Sequence, residues 1–174
     1  ITVANVNDQP VFVSEPVTQG SEDAKYEYSI SANDPDGDKL NIGAAELPGW
    51  MSLTDNEDGT ATLSGTPKNA DVGSNEVTLT LDDGHIDAPV KQHFTVEVAN
   101  VNDAPGFTST PLTEATEDET YSYTVETKDI DGDGVAVDSV KMPTWLEFTD
   151  NEDGTAVIKG IPGNSEVGKD SVII

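Results

Sequence analysis

The stretch Asn100-Val101-Asn102-Asp103-Ala104-Pro105 follows an alternating run, Phe94-Thr-Val-Glu-Val98, and recurs near the start as Asn5-Val6-Asn7-Asp8-Gln9-Pro10. The alternating run is typical of a half-buried strand, and a proline after it ends strand pairing. The short Asn and Asp side chains cannot build a core, but their oxygens suit a hard cation. We interpret the stretch as a linker between repeats that are offset by 95 residues.

The second copy keeps the register of the first without a gap, and the word TDNEDGTA stands at 54–61 and again at 149–156. Residues 1–7 match 96–102, so we expect them to be the last strand and linker of a preceding repeat. The first complete repeat is then 8–102. The second is 103–174, which we expect to be incomplete at its C-terminal end because Ile174 is the counterpart of Leu79.

Composition and pattern favour an all-β fold. Aromatic residues are sparse, Gly and Pro are frequent, and no segment has sustained helical periodicity. Turn signals about every 8–12 residues predict tandem Greek-key β-sandwiches with about seven strands per repeat. In the first repeat the predicted strands are Val11–Val13, Tyr26–Ser31, Leu40–Ala44, Met51–Thr54, Thr60–Ser64, Glu76–Leu81 and Val90–Ala99.

The charge of the chain restricts its partners. Asp and Glu number 34 against 8 basic residues, for a formal charge of −26. A field of this sign disfavours nucleic acid and anionic membrane surfaces. There is no apolar stretch long enough for direct membrane insertion, and no Cys, so packing or metal must stiffen the fold. The chain opens in mid-strand, so we expect targeting signals to lie outside it.

Two acidic motifs are the clearest candidates for a binding site. Asp34-Pro-Asp-Gly-Asp38 and Asp129-Ile-Asp-Gly-Asp133 each place three carboxylates at alternating positions around a glycine. Such a loop can direct oxygens at one centre, and calcium takes six to eight of them. An EF-hand needs Gly at the sixth position and Glu at the twelfth, but the first copy has Lys39 and Ala45 there, and the second has Gly134 but Val140, so this alternative fails. An ordinary acidic turn remains the alternative.

The order Asn-Val-Asn-Asp-x-Pro-x-Phe, then Glu, then Asp-x-Asp resembles the cadherin pattern. The segment from Pro48-Gly-Trp50 to Asp71-Val-Gly73 is similar to bacterial dystroglycan-type cadherin-like and Ig-like repeats. Together the two likenesses cover essentially the whole chain. They imply sandwiches in tandem, with calcium bound at the junctions between successive domains.

The resemblance also implies ligands for each junction. At the central junction these are Glu22, Asp71, Asn100, Asn102, Asp103, Asp129, Asp131 and Asp133. At the N-terminal junction they are Asn5, Asn7, Asp8, Asp34, Asp36 and Asp38, with Asp82 or Asp83 from the end of a strand; of these two, Asp82 is retained in the predicted set.

This chain departs from the cadherin pattern in three ways. The linker is one residue shorter, and Asn100 stands where cadherins have Asp. The Leu-Asp-Arg-Glu word is missing, so Asp71 is assigned by position alone. The counterpart of Asp82 would lie beyond Ile174. We therefore expect fewer ions at the central junction than in animal cadherins.

Other motifs have structural interpretations. The Asp55-Asn-Glu-Asp-Gly59 word and its copy at 150–154 predict hairpin turns, with a further metal site as the weaker alternative. Trp50 and Trp145 recur at equal positions and predict core anchors, against sugar-stacking platforms. The two histidines do not recur and are expected at the solvated surface.

The sequence thus predicts a calcium-rigidified cadherin-like segment of an extracellular stalk or adhesin on a bacterial cell surface. Its expected partners are neighbouring repeats, with a glycan or another surface protein as adhesive ligand. The alternative is a carbohydrate-binding module or spacer attached to a secreted polysaccharide-acting enzyme. No catalytic residue and no enzyme activity are predicted, because nothing sets one carboxylate apart as acid or base.

Overall fold

The computed structural model describes residues 1–174, and its regular elements are β-strands apart from two short 3₁₀ turns at Asn69–Asp71 and Asn164–Glu166. The chain forms two compact units, residues 1–101 and 102–174. This boundary lies one residue from the predicted repeat boundary, and residues 1–7 belong to the first unit. With only three residues in each helical turn, the chain contains no helix that could span a membrane.

Unit 1 is a sandwich of two four-stranded sheets. One sheet has the order β1-β3-β6-β5 and the other β2-β8-β7-β4. The strands are β1 (Val11–Phe12), β2 (Gln19–Ser21), β3 (Tyr26–Asn33), β4 (Asn41–Glu46), β5 (Met51–Asp55), β6 (Thr60–Gly65), β7 (Gly73–Asp82) and β8 (Val90–Ala99). All pairs are antiparallel except β2 with β8, which is parallel.

Alternation along the strands builds the core of unit 1. Tyr26, Tyr28 and Ile30 of β3 are buried while the residues between them face solvent. In the opposite sheet, β7 and β8 bury their alternate residues in the same way. The rings of Tyr28 and Phe94 meet edge to face across the two sheets, with centroids 5.9 Å apart. The apolar face of each sheet therefore finds its partner in the other sheet.

All seven strands predicted for unit 1 are present, and β2 is an eighth that the pattern did not reveal. The sequence Gln19-Gly-Ser21 has no apolar alternation, and it joins the edge of β8 through backbone pairing. Between β1 and β2 the chain crosses from one sheet to the other, passing Pro16, which cannot donate to a ladder.

Unit 2 repeats one of the two sheets, in the order β11-β12-β10-β9. Its strands are β9 (Gly106–Phe107), β10 (Tyr121–Lys128), β11 (Leu146–Asp150) and β12 (Thr155–Gly160). The register follows the offset of 95, so that Tyr121 pairs with Gly160 as Tyr26 pairs with Gly65. The all-β class is confirmed. The count of about seven strands applies to unit 1. In unit 2 the counterpart of β8 would be 185–194, outside the given sequence, and the pairing of β4 with β7 is reduced to a bridge between Lys141 and Ile173.

The two DNEDG words form hairpin turns, as predicted. The turn between β5 and β6 has a positive φ at Glu57 (60°) and at Gly59 (84°). Gly adopts a positive φ without strain, which explains its presence at position 59. Asp58 closes the turn by accepting hydrogen bonds from the amide and hydroxyl of Thr60. These bonds, the hydroxyl bond foremost, lower the pKa of Asp58. The turn at 150–154 repeats this geometry.

Both tryptophans are half-buried at the edge of a core. The Trp50 ring meets Tyr26 edge to face at 5.6 Å, and Trp145 meets Tyr121 at 5.8 Å. The Trp50 indole Nε1 donates to Asn75 Oδ1 at 2.9 Å. Each tryptophan packs against the buried residues of its own unit, so the predicted anchoring role is confirmed.

Candidate metal centre

The loop after β3 draws three carboxylates together in unit 1. Asp34 Oδ1 accepts hydrogen bonds from the backbone amides of Asp36 (2.8 Å) and Asp38 (3.2 Å). Gly37 lies between these two residues with φ of +80°, a conformation that Gly allows. One carboxylate oxygen from each of Asp34, Asp36 and Asp38 lies within 4.8 Å of the others. The Asp-x-Asp-Gly-Asp spacing thus places the three carboxylates around a single point.

Asp34 is the innermost of the three and is only 8% exposed. Its Oδ1 is satisfied within the loop, but its Oδ2 is buried and has no hydrogen-bond partner. Leaving a buried carboxylate oxygen unpaired costs about 1–3 kcal/mol or more. A cation bound in the loop would satisfy this oxygen. The residues present therefore fit a metal ion better than they fit an ordinary acidic turn.

The N-terminal segment meets this loop through Asp36. Asn5 Nδ2 donates to Asp36 Oδ1 at 2.9 Å, and the amide of Asp8 donates to Asp36 Oδ2 at 2.6 Å. The Asp8 bond, followed by the Asn5 bond, lowers the pKa of Asp36, against the opposing effects of desolvation and the nearby charge of Asp83. These bonds join Asn5, Asp8 and Asp36, three of the ligands predicted for the N-terminal junction, within unit 1.

Asp83, rather than Asp82, faces the N-terminal segment. Asn7 Nδ2 donates to Asp83 Oδ2 at 3.0 Å and lowers the pKa of that carboxyl. Asp82 instead accepts the amide of Gly84 within its own turn. The alternation along β7 could have identified Asp83 from the sequence. Leu79 and Leu81 point into the core, and Asp83 lies two positions further on, on the same face of the strand.

Unit 2 repeats the same local geometry. Asp129, also 8% exposed, accepts the amides of Asp131 (2.9 Å) and Asp133 (3.2 Å). The amide of Asp103 donates to Asp131 Oδ2 at 2.6 Å, as that of Asp8 does to Asp36. Asn102 uses its side chain to reach the carbonyl of Asp103. Linker and loop residues are thus joined in both copies.

The remaining predicted ligands have separate environments. Glu22 is 3% exposed, and its carboxylate accepts the amide of Val101 at 3.3 Å. Asn100 is exposed. Asp71 accepts the amide of Lys68 at 2.8 Å and closes the 3₁₀ turn, and Glu166 of unit 2 closes its own turn on Gly163 in the same way. This recurrence indicates a capping role for Asp71. That Glu22, Asp71 and Asn100 bind an ion at the central junction stays a prediction.

The donor atoms of the unit 1 cluster are all oxygens. Asp34, Asp36, Asp38 and Asp83 supply carboxylates, and the amide groups of Asn5 and Asn7 supply one carbonyl oxygen each. No His or Cys ligand set accompanies them, although His85 Nε2 lies 3.9 Å from Asp38 Oδ2. Oxygen donors of this kind select hard cations such as calcium over transition metals.

Comparison with known proteins assigns the fold to a family. A family model described as Putative Ig domain matches residues 9–99, which is just over half of the chain. The chain belongs to the Putative Ig domain family. The matched residues extend from just before β1 to the end of β8, so the Putative Ig domain corresponds to the sandwich of unit 1.

Solved structures extend the likeness of the Putative Ig domain chain to both units. The endo-fucoidan hydrolase MfFcnA4 of glycoside hydrolase family 107 is similar over 94% of this chain, with 26% identity and a TM-score of 0.51. The match covers 26% of the hydrolase, so the chain spans about a quarter of that protein's length.

Human protocadherin-24 EC1-2 is similar over 87% of this chain and 76% of its own, with 21% identity and a TM-score of 0.51. At this identity the likeness concerns the fold alone. It agrees with the predicted cadherin-like architecture, and the recognition of tandem cadherin- and Ig-like sandwiches is confirmed.

Proposed function

We propose that this chain is a calcium-stiffened tandem segment of an extracellular stalk or adhesin. Its role is structural and adhesive rather than catalytic. Calcium would bind where the linker-like segment meets the Asp-x-Asp-Gly-Asp loop, and it would hold the direction of the chain at the end of a sandwich. Neighbouring repeats are the first partners that this role requires.

The observation that carries the proposal is the buried, unpartnered Oδ2 of Asp34. It lies in a loop whose three carboxylates already approach one another within 4.8 Å. Calcium takes six to eight oxygen ligands, and Asp34, Asp36, Asp38, Asp83, Asn5 and Asn7 offer that number with water. Magnesium fits less well, because it demands near-ideal octahedral geometry at short distances.

The mechanical consequence follows from the charges. Without a cation, neighbouring carboxylates repel one another, and only the hydrogen bonds of Asn5, Asn7 and the Asp8 amide hold the segment. A bound divalent cation turns that repulsion into shared attraction. Unit 2 joins Asp103 to Asp131 in the same way, which supports one mechanism repeated along an array.

A spacer in a secreted polysaccharide-acting enzyme is the second candidate, favoured by the similarity to an endo-fucoidan hydrolase. The calcium mechanism would serve such a spacer equally well. A glycan-binding face has less support in unit 1, because Tyr26 and Tyr28 are 4% and 2% exposed and their hydroxyls are bonded internally. Both tryptophans pack against cores in the same manner.

A calcium titration followed by calorimetry tests the proposal. We expect saturable binding at about 10⁻⁴–10⁻³ M, the range of extracellular calcium modules. Asp36→Asn should weaken it at least tenfold, since this carboxylate contacts both the loop and the segment. Glu46→Gln is the matched control, because Glu46 is exposed at the far end of β4. Equal affinities in the parent and Asp36→Asn proteins would contradict a site at this loop.

Small-angle scattering tests the mechanical part separately. Calcium should narrow the distribution of interatomic distances in the parent chain and leave it unchanged in the Asp36→Asn, Asp131→Asn double variant. Calcium binding without any change in scattering would keep the metal site but reject stiffening.

A further inference from the structure

The peptide bond between Asp34 and Pro35 is the only Asp–Pro bond in the chain. A carboxylate can attack the carbonyl carbon of its own residue, because the two groups belong to one side chain and backbone and close a small ring with little strain. A proline nitrogen leaves such a carbonyl more readily than other amide nitrogens, because it is more basic. The bond therefore joins a nucleophile to a good leaving group.

The nucleophile is one particular oxygen of Asp34. Its Oδ1 is engaged by the amides of Asp36 and Asp38, at 2.8 and 3.2 Å. Its Oδ2 is buried and has no hydrogen-bond partner. Carboxylates of Asp act as nucleophiles that form covalent intermediates when they are placed against an electrophile. No hydrogen bond competes for the electron pairs of Oδ2, so this oxygen is available for attack.

The carbonyl of Asp34 has a donor of its own. The amide of Gly37 donates to the Asp34 carbonyl oxygen at 3.3 Å. A backbone donor on this oxygen stabilises the negative charge that develops there when the carbonyl carbon is attacked. Pro35 is exposed, so water can reach the departing nitrogen. Nucleophile, electrophile and oxyanion donor thus come from one loop.

The loop of unit 2 does not combine these features. Ile130 follows Asp129 where Pro35 follows Asp34, so the leaving group there is an ordinary secondary amide. No bond joins the amide of Gly132 to the carbonyl of Asp129. The two loops share their acidic residues and differ in the parts that bond cleavage requires.

We propose that Asp34 cleaves its own bond to Pro35 when the loop holds no cation, a reaction whose control by calcium rests on the proposed function. Oδ2 forms a bond to the Asp34 carbonyl carbon, the bond to the Pro35 nitrogen breaks, and that nitrogen takes a proton from water. The cyclic anhydride left on Asp34 is opened by the remaining hydroxide, and the acid so formed protonates the proline amine. One water molecule is consumed overall.

Cleavage at this position would remove the metal site without dispersing the domain. Asp34 would be separated in the chain from Asp36 and Asp38, which follow the cut. The strand β3 would stay paired with β6, so the two fragments would remain associated. With Oδ2 occupied as a calcium ligand, no free oxygen would remain for attack. Loss of calcium would then become an irreversible loss of the site.

Mass spectrometry under denaturing conditions tests the proposal on the full chain. The parent protein is incubated for days below its melting temperature, either with EDTA or with saturating calcium. We expect fragments 1–34 and 35–174 in EDTA, and about tenfold less of them in calcium. Pro35→Ile, which copies unit 2, should also reduce them about tenfold in EDTA. Pro89→Ile is the matched control and should be cut like the parent, because Pro89 is exposed in another loop.

A parallel incubation in denaturant separates the folded loop from ordinary Asp–Pro lability. The unfolded parent keeps the bond but loses the Gly37 donor, so it should be cut more slowly than the folded protein. Equal or faster cleavage in denaturant would overturn the proposal, as would an intact parent in EDTA or equal cleavage of Pro35→Ile. A parent that binds calcium in calorimetry but is cut equally with and without it would reject calcium control. A parent that binds no calcium would reject the proposed function, while Pro35→Ile would still decide whether Asp34 cleaves the bond.

Discussion

Gly65 lies directly against the backbone of Trp50: a Cβ placed on Gly65 would be 2.1 Å from the Trp50 carbonyl oxygen and 2.9 Å from its ring. Gly160 and Trp145 repeat this relationship at 2.1 and 3.0 Å. The absence of a side chain at the end of β6 and β12 is therefore what lets each tryptophan close over its core.

Gly65→Ala should destabilise unit 1, and Gly160→Ala should destabilise unit 2. The methyl group meets backbone rather than a flexible side chain, so we expect a loss of about 1–3 kcal/mol in each case. Chemical denaturation measures it. Gly49→Ala is the control, because nothing lies within 4 Å of its Cβ position. Equal stability of the parent and Gly65→Ala proteins would show that the two residues do not pack this closely.

Trp50→Ala should cost about 3 kcal/mol in unfolding free energy, at the lower end for core aromatic residues because the ring is half-buried. Trp50→Phe keeps the edge-to-face contact with Tyr26 but loses the bond to Asn75, so it should cost less. A Trp50→Ala protein that melts like the parent but loses binding to a glycan would return this residue to the sugar-binding interpretation.

Alkaline pH should destabilise unit 1 through Tyr26. Burial, with a contribution from Tyr28, raises the pKa of Tyr26 to about 12, and its hydroxyl donates to the Val17 carbonyl. The unfolded pKa is about 10, so the folded state favours the protonated form. This stability is fully present below about pH 10 and is lost as pH rises toward 12, by roughly 2–3 kcal/mol.

Denaturation of the parent and of Tyr26→Phe at a series of alkaline pH values checks this prediction. The variant should be less stable at neutral pH, because the Val17 carbonyl loses its donor, and should lose stability less steeply above pH 10. Parallel profiles for the two proteins would contradict it.

Asp71→Ala should remove the cap of the 3₁₀ turn and lower the stability of unit 1 by about 1 kcal/mol. Asp71→Asn should recover part of the loss, since its amide oxygen can still accept from Lys68. A calcium titration of the same variants tests the metal role predicted from position. Unchanged calcium affinity would remove Asp71 from the set of ligands.

The parts of the fold that depend on side-chain period could be predicted from the sequence. Alternation revealed β3, β7 and β8, and the repeated DNEDG words revealed the turns. By contrast, β2 forms through backbone pairing with β8, and its sequence has no apolar alternation from which a strand could be predicted. A short edge strand of this kind depends on pairing with a strand that is distant in the sequence. Its local sequence therefore does not predict it.

The residues of the candidate metal site also differ in how far the sequence predicts their positions. The loop from Asp34 to Asp38 was evident, because spacing and a glycine determine its shape. The choice between Asp82 and Asp83 required the phase of β7, and the involvement of Asp71 in a turn required a hydrogen bond to Lys68. The unpartnered oxygen of Asp34 depends on how tightly the loop is packed, which composition does not encode.

The parallel pairing of β2 with β8 has a consequence for a chain under tension. Force pulling the start of β2 and the end of β8 apart acts along the strand axes. The bonds from Glu97 to the Thr18 carbonyl and from Glu22 to the Ala99 carbonyl are then loaded together in shear instead of being unzipped one by one. Because a pair loaded in shear must break several bonds at once before it extends, we expect this short strand to resist the separation of β2 from β8 under tension.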